Sequence, residues 1–117
     1  MGYQLEDEDT WDSAKDKVKG MGANIGEATG IAKLPNDPTF KEGDILVANM
    51  TTPENVPVMR KASAIATNIG SITCHAAIVA REMGKPCVVS AKGVTDTAGK
   101  TVTVSVKSIK EAEVRWS

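Results

Sequence analysis

Over residues 101–106 every second position is apolar, with Val102, Val104 and Val106 on one side, which predicts a strand buried on one face. Elsewhere the apolar positions run together: 64–67 reads as a buried strand, 87–90 as the next one, 44–48 as a short strand candidate and 111–115 as a last strand. Residues 74–83 read as a helix, stopped by Gly84 and Pro86. Thr52 and Pro53 are an N-cap and a first helical residue, opening a helix toward Lys61. Pro57 cannot donate to the carbonyl four residues back, so that helix starts late or bends. Strand, helix, strand, helix, strand at these spacings implies right-handed parallel crossovers. Residues 68–73 then lie beyond the carboxyl end of the central strand, the edge where ligands gather in open parallel sheets.

Ahead of this unit, Gly20, Gly22, Gly26 and Gly30 punctuate a stretch containing Ile25, Thr29 and Ile31, which suggests bent strands. The glycine spacing is too irregular for a nucleotide loop. Residues 1–19 are acidic through Glu6, Asp7, Glu8, Asp9, Asp12 and Asp16, with Trp11, Ala14 and Val18 at helical spacing. This segment is either a short amphipathic helix or an acidic tail. The organisation is thus an N-terminal extension, 1–19, and one domain, 20–117.

Composition narrows the function. A chain of 117 residues, 41% hydrophobic and 25% charged, suffices for one domain with its own core. A net charge of −1, with a single Tyr and a single Phe, argues against nucleic acid as a partner. No apolar run approaches a membrane span and the acidic start is unlike a signal peptide, so a cytoplasmic protein is expected. Cys74 and Cys87 form no CxxC pair and have no partner ligands at metal spacing, so free thiols are expected, with neither disulfide nor metal.

The chemistry centres on His75, the only histidine. It stands at the start of the 74–83 helix, where unpaired amides and the positive end of the dipole favour added negative charge, so its imidazole is well placed to carry a phosphoryl group. Thr73 is a candidate cap for this helix, and Gly70 allows a tight approach of backbone. Residues 76–80 are small or apolar, which leaves the imidazole alone at the polar end of a buried element. A cysteine nucleophile with His75 as base is disfavoured, because neighbouring side chains on a helix point about 100° apart. Cys74 reads as a small packing residue beside the site.

The run from Thr73 through Cys74, His75, Ala76, Ala77, Ile78, Val79, Ala80, Arg81, Glu82, Met83, Gly84, Lys85 and Pro86 to Val89 closely resembles the phosphohistidine signature of the swivelling, mobile domain of PEP-utilising enzymes, the phosphoenolpyruvate synthase and pyruvate phosphate dikinase type. Looser likeness extends over 20–106. The resemblance implies an α/β fold, a swivelling β/β/α three-layer domain with a parallel β-α-β centre. It implies that His75 is transiently phosphorylated and shuttles phosphate between an ATP-grasp nucleotide site and a pyruvate, phosphoenolpyruvate or other acceptor site on partner domains or subunits. Thr73 matches a threonine that a regulatory kinase phosphorylates in several members. Arg81 matches the family's arginine. Six residues past His75, it lies about 240° round the helix, so phosphate contact competes with a structural or docking role.

Four positions depart from the family pattern. Ser71 stands where a second glycine is usual, Asn68 where an Asp is frequent, Ser90 where a glycine closes the strand, and Ser105 in place of an aspartate. Ser71 restricts the loop if its position takes a positive φ. The chain has no Walker loop, kinase constellation or eightfold barrel, so it is expected to bind no cofactor of its own, with ATP and Mg²⁺ on a partner domain. It is then a stand-alone carrier subunit or an excised domain, monomeric in isolation. The other open reading is a noncatalytic binding or regulatory module on the same fold.

Overall fold

The computed structural model describes residues 17–116. Seven strands, β1 (Lys17–Asn24), β2 (Gly26–Lys33), β3 (Ile45–Ala48), β4 (Ala64–Thr67), β5 (Cys87–Val89), β6 (Thr101–Val106) and β7 (Ala112–Trp116), close into a barrel in the order β1-β5-β4-β3-β2-β6-β7. Strands β2, β3, β4 and β5 are neighbours in parallel, while β1, β7, β6 and β2 pair antiparallel. The parallel β-α-β centre is therefore present, but closure replaces three separate layers. The reason lies in β1 and β2, each eight residues long and each paired on one side in the parallel half and on the other in the antiparallel half. In β1 the register shifts between Gly22 and Asn24, a bulge that re-aims the strand between the two.

The apolar patterns follow from this placement. Ile45, Val47, Ala64, Ala66 and Val88 fill the barrel interior together with Val102, Val104, Val106 and Val114. Their neighbours in sequence, Leu46, Ile65, Cys87 and Val89, point the other way, against the helices. The parallel strands are buried on both faces, hence their unbroken apolar runs, whereas the antiparallel β6 keeps the alternation of a strand with one outer face.

Two helices cover the parallel half: α1 (Val56–Lys61) and α2 (His75–Met83). The helix expected from Pro53 begins as a short 3₁₀ turn, Pro53–Asn55, capped by Thr52, and becomes α-helical only at Val56, with Pro57 in its first turn where no amide partner is lost. Lys85 donates from Nζ to the carbonyls of Arg60 and Ala62, closing the end of α1. Gly84 caps α2 in the left-handed conformation, φ 70°, the stop that its place before Pro86 predicts. The last strand runs one residue later than expected, and β3 and β5 are each a residue shorter. Val18, assigned above to an N-terminal extension, lies on β1 and packs on the barrel core. The rest of the expected helix, residues 1–16, lies outside the described residues.

One ion pair at the opposite end of the barrel contributes to stability. Lys33 Nζ is 3.0 Å from Asp44 Oδ2, the carboxylate being almost wholly buried. Burial alone would raise the Asp44 carboxyl, but the Lys41 N–H and the Lys33 ammonium outweigh it and hold the group below its ordinary range. A depressed carboxyl contributes stability above its unfolded value that is lost as pH falls through the folded one. Asp44→Asn is therefore expected to lower stability at neutral pH by about 1 kcal/mol or more, and the two chains converge as pH falls below the ordinary carboxylate range and through the depressed folded value. Thermal midpoints measured against pH check this; parallel curves down to the lowest pH would show that Asp44 contributes nothing through its charge.

Candidate functional site

The carboxyl edge of β3, β4 and β5 carries three loops, and His75 sits among them at the first position of α2. Helix α2 can lie close on the sheet because the residues it turns inward, Ala76, Ala77 and Ala80, are small and fully buried. Its first turn leaves the amides of His75, Ala76 and Ala77 without intrahelical carbonyls; the first bond runs from the Ile78 N–H to the Cys74 carbonyl, 3.0 Å. The N-cap is Cys74, with extended backbone and no side-chain cap. Thr73 does not cap the helix. Its hydroxyl is 3.0 Å from Ser71 Oγ and its N–H donates to that oxygen at 3.3 Å, leaving Thr73 exposed on the loop.

Thr51 is the residue that sequence reasoning missed. It is buried, and its Oγ1 lies 2.9 Å from His75 Nδ1. No spacing rule connects positions 51 and 75, because the contact exists only once β3 and α2 converge on the same edge. Nε2 of His75 has no hydrogen-bond partner among the described residues. Met50, Thr51, Thr67, Ile69, Gly70, Cys74 and Ala76 join His75 around a small pocket of about 120 Å³ that contains no charged side chain. Met50 and Ile69, both lining this pocket, are exposed apolar side chains, and Ile78 is exposed on α2 three residues past His75.

The loop residues divide by role. Gly70 has φ 135°, and a Cβ there would come within 3.0 Å of the Cys74 sulfur, so this glycine is required both by backbone conformation and by space. Ser71 needs no such freedom, since the only non-glycine residue with positive φ among those described is Ser90. Ser71→Gly is accordingly expected to leave the fold intact and to loosen the loop by about 0.5–1 kcal/mol. Any phosphoryl acceptance by His75 would change only modestly; labelling that rises from none to easily measurable would mark the natural chain as a degenerate copy. Ser90, with φ 58°, occupies a conformation that glycine adopts without cost and other residues at about 1 kcal/mol, which fits the glycine expected there.

Asn68 ties the edge together: Nδ2 donates to Asn49 Oδ1 at 3.3 Å and to Thr95 Oγ1 at 3.1 Å, and Oδ1 accepts from the Thr95 N–H at 3.3 Å. Arg81 makes no contact with the imidazole. Its Nε donates to the Ala23 carbonyl at 3.0 Å and its Nη2 to the Ile72 carbonyl, so it straps the loop preceding His75 to β1. Cys74 is half-buried against the helix-side core, and Cys87 is fully buried with its thiol pushed up to about 12 by that burial, which removes it as a nucleophile near neutral pH. Ser105 lies on β6, in the antiparallel half.

The architecture and site define a class: a domain that displays one histidine at a helix N-terminus, on the carboxyl edge of a short parallel sheet. Residues 40–108 match the model of the PEP-utilising enzyme mobile domain, and the chain belongs to that family. It is 43% identical over 110 residues to a probable phosphoenolpyruvate synthase of Archaeoglobus fulgidus, covering 89% of this chain and 15% of that protein. Against the phosphoenolpyruvate synthase of Helicobacter pylori it is 45% identical over 102 residues, 82% of this chain and 12% of that one. The chain thus spans about a seventh or less of the length of these relatives. Among solved structures, Enzyme I superimposes with a TM-score of 0.50 at 30% identity, covering 64% of this chain and 32% of that one. Aconitase X of Thermococcus kodakaraensis, with a TM-score of 0.58 at 20% identity over 86% of this chain and 98% of that one, shares the fold alone. The chain is a mobile domain of the kind found in phosphoenolpyruvate synthases and Enzyme I. Among the described residues, no helix is long and apolar enough to cross a membrane.

Proposed function

We propose that this chain is a phosphoryl carrier in which His75 Nε2 is the atom phosphorylated, relaying the group between a nucleotide-binding partner and a pyruvate, phosphoenolpyruvate or other acceptor partner. The hydrogen bond between Thr51 and Nδ1 carries this reading. A nucleophilic Nε2 needs its lone pair, so the ring proton resides on Nδ1 and is donated to Thr51 Oγ1. Nε2 then attacks phosphorus: a P–N bond forms, the P–O bond to the leaving group breaks, and the ring keeps its Nδ1 proton while carrying the positive charge. The same bond to Thr51 holds that N–H throughout, and the first amides of α2 face the added negative charge.

The pocket offers no cation to the phosphoryl oxygens. Donor and acceptor sites must therefore bring their own positive groups, ATP and Mg²⁺ being bound on the partner, and this chain alone has nothing with which to activate a nucleotide. The exposed apolar side chains of Met50 and Ile69 at the pocket suit weak, water-excluding contacts that can form at two sites in turn. Arg81 and Gly70 act as positioning residues through the loop, and the exposed Thr73 hydroxyl is open to a regulatory kinase. A cytoplasmic setting and a monomeric state in isolation complete the reading.

The test is labelling. Purified chain with Mg²⁺ and ATP alone should neither hydrolyse nucleotide nor label itself. Addition of an ATP-grasp partner should place one phosphoryl group on His75, stable in alkali and lost in acid. Robust self-labelling by the isolated chain, or phosphate found only on serine or threonine, overturns the carrier assignment.

A further inference from the structure

The sheet face on the outside of β1, β7 and β6 is strongly basic, and nothing in the carrier mechanism uses it. Strand alternation turns Val18, Val114 and Val104 into the core and Lys17, Lys19, Glu113, Arg115 and Ser105 outward. With Lys107 and Lys110 from the β6–β7 turn they line a pocket of about 230 Å³, to which Glu111 adds a second carboxylate. Lys17 stands directly opposite Arg115 in the antiparallel register, a pairing of like charges that by itself costs stability. Glu113 answers both, 3.6 Å from Lys17 Nζ and 2.5 Å from Arg115 Nη1. Lys19, Lys107 and Lys110 have no ion pair among the described residues. Ser105 is only 6% exposed, lines this pocket, and has no hydrogen-bond partner for its hydroxyl among those residues. A buried hydroxyl without an acceptor, next to surplus cations, is a seat for an anion.

The sequence supplies an occupant. Residues 1–16 hold six acidic side chains and one lysine, whereas the remaining chain holds thirteen Lys and Arg against nine Asp and Glu. Asp16 is joined directly to Lys17, itself part of the pocket, so this acidic stretch is tethered at the pocket and presented at an effective concentration in the millimolar range. We propose that the acidic segment 6–16 docks on the basic face of β1, β7 and β6, its carboxylates meeting Lys19, Lys107 and Lys110 and one of them accepting from Ser105. Such a contact would lay the chain entering the domain along the barrel wall, on a face separate from the loops that carry His75.

Amide resonances of the full-length chain test this in a salt titration from about 20 mM to about 500 mM NaCl, a range over which exposed charge contacts become screened. The resonances of Lys17, Lys19, Ser105, Lys107 and Arg115 should shift together with those of residues 6–16. A full-length variant carrying Glu6→Gln, Asp7→Asn, Glu8→Gln, Asp9→Asn, Asp12→Asn and Asp16→Asn should show the high-salt positions already at low salt. The exposed pair Lys107→Glu and Lys110→Glu should have the same effect from the other side. Inorganic phosphate, used as a competing anion, should bind the neutralised variant at least about fivefold more tightly than the natural chain, where it must displace the segment. A salt response confined to the basic face, or equal phosphate affinity in the two chains, would overturn the proposal; the latter would make the pocket a site for free anions.

Discussion

His75→Ala should take up no phosphoryl group when mixed with a nucleotide-binding partner that labels the natural chain to one group per molecule. The expected loss is complete, because His75 is the only histidine and the proposed carrier atom is its Nε2. Cys87 is buried with its thiol raised to about 12, and the Thr51 hydroxyl is buried against Nδ1 of the ring. Stability should fall by no more than about 1–3 kcal/mol, the cost of leaving the buried Thr51 hydroxyl without its partner, because His75 is itself only half-buried. Mass spectrometry after alkaline work-up, with thermal melting as a control for folding, reads both. Residual acid-labile label in His75→Ala would mean that the carrier atom lies elsewhere.

Thr51→Val should slow labelling by about 10–100-fold, the loss typical when the group orienting an imidazole is removed, while leaving the acceptor residue unchanged. Valine keeps the volume and the β-branch but cannot accept from Nδ1–H, so the ring loses both its fixed orientation and its preference for a free Nε2. Thr51→Ser should restore most of the rate, which a merely packing role for Thr51 would not predict. Histidine nitrogen chemical shifts offer a second readout: the natural chain should hold its neutral ring predominantly as the Nδ1–H tautomer, and Thr51→Val should shift that population toward Nε2–H. A rate within about twofold of the natural chain, with the tautomer unmoved, would show that the 2.9 Å contact does not govern the nucleophile.

Much of the site lay within one contiguous stretch and was legible for that reason. Residues 70–86 contain the glycine that needs φ 135°, the histidine proposed as nucleophile, the small residues that let α2 approach the sheet, the arginine that straps the loop, and the Gly84 stop. Where local rules failed, a competing local partner had won: Thr73 was positioned to cap α2, but Ser71 offers its hydroxyl two residues away and Cys74 takes the cap position without a side-chain bond. The role of Arg81 was undecidable from helical angle alone, because its two carbonyl partners, on Ala23 and Ile72, belong to β1 and to a loop whose paths are set by the barrel.

By itself the sequence determined the strand and helix periods, the parallel β-α-β centre, the family and the lone histidine at a helix N-terminus. These are properties of short-range spacing and side-chain chemistry, which the chain carries wherever it goes. Only the tertiary structure decided that the strands close into a barrel rather than lie in layers, because closure depends on β1 and β2 pairing on both edges with partners as distant in sequence as Arg115 is from Lys17. The same long-range convergence decided the two features that matter most for chemistry and contact. It brings Thr51 to His75 Nδ1, and it gathers Lys17, Lys19, Ser105, Lys107 and Arg115 onto one face, because alternate residues of separate strands become neighbours only once hydrogen-bond register aligns them.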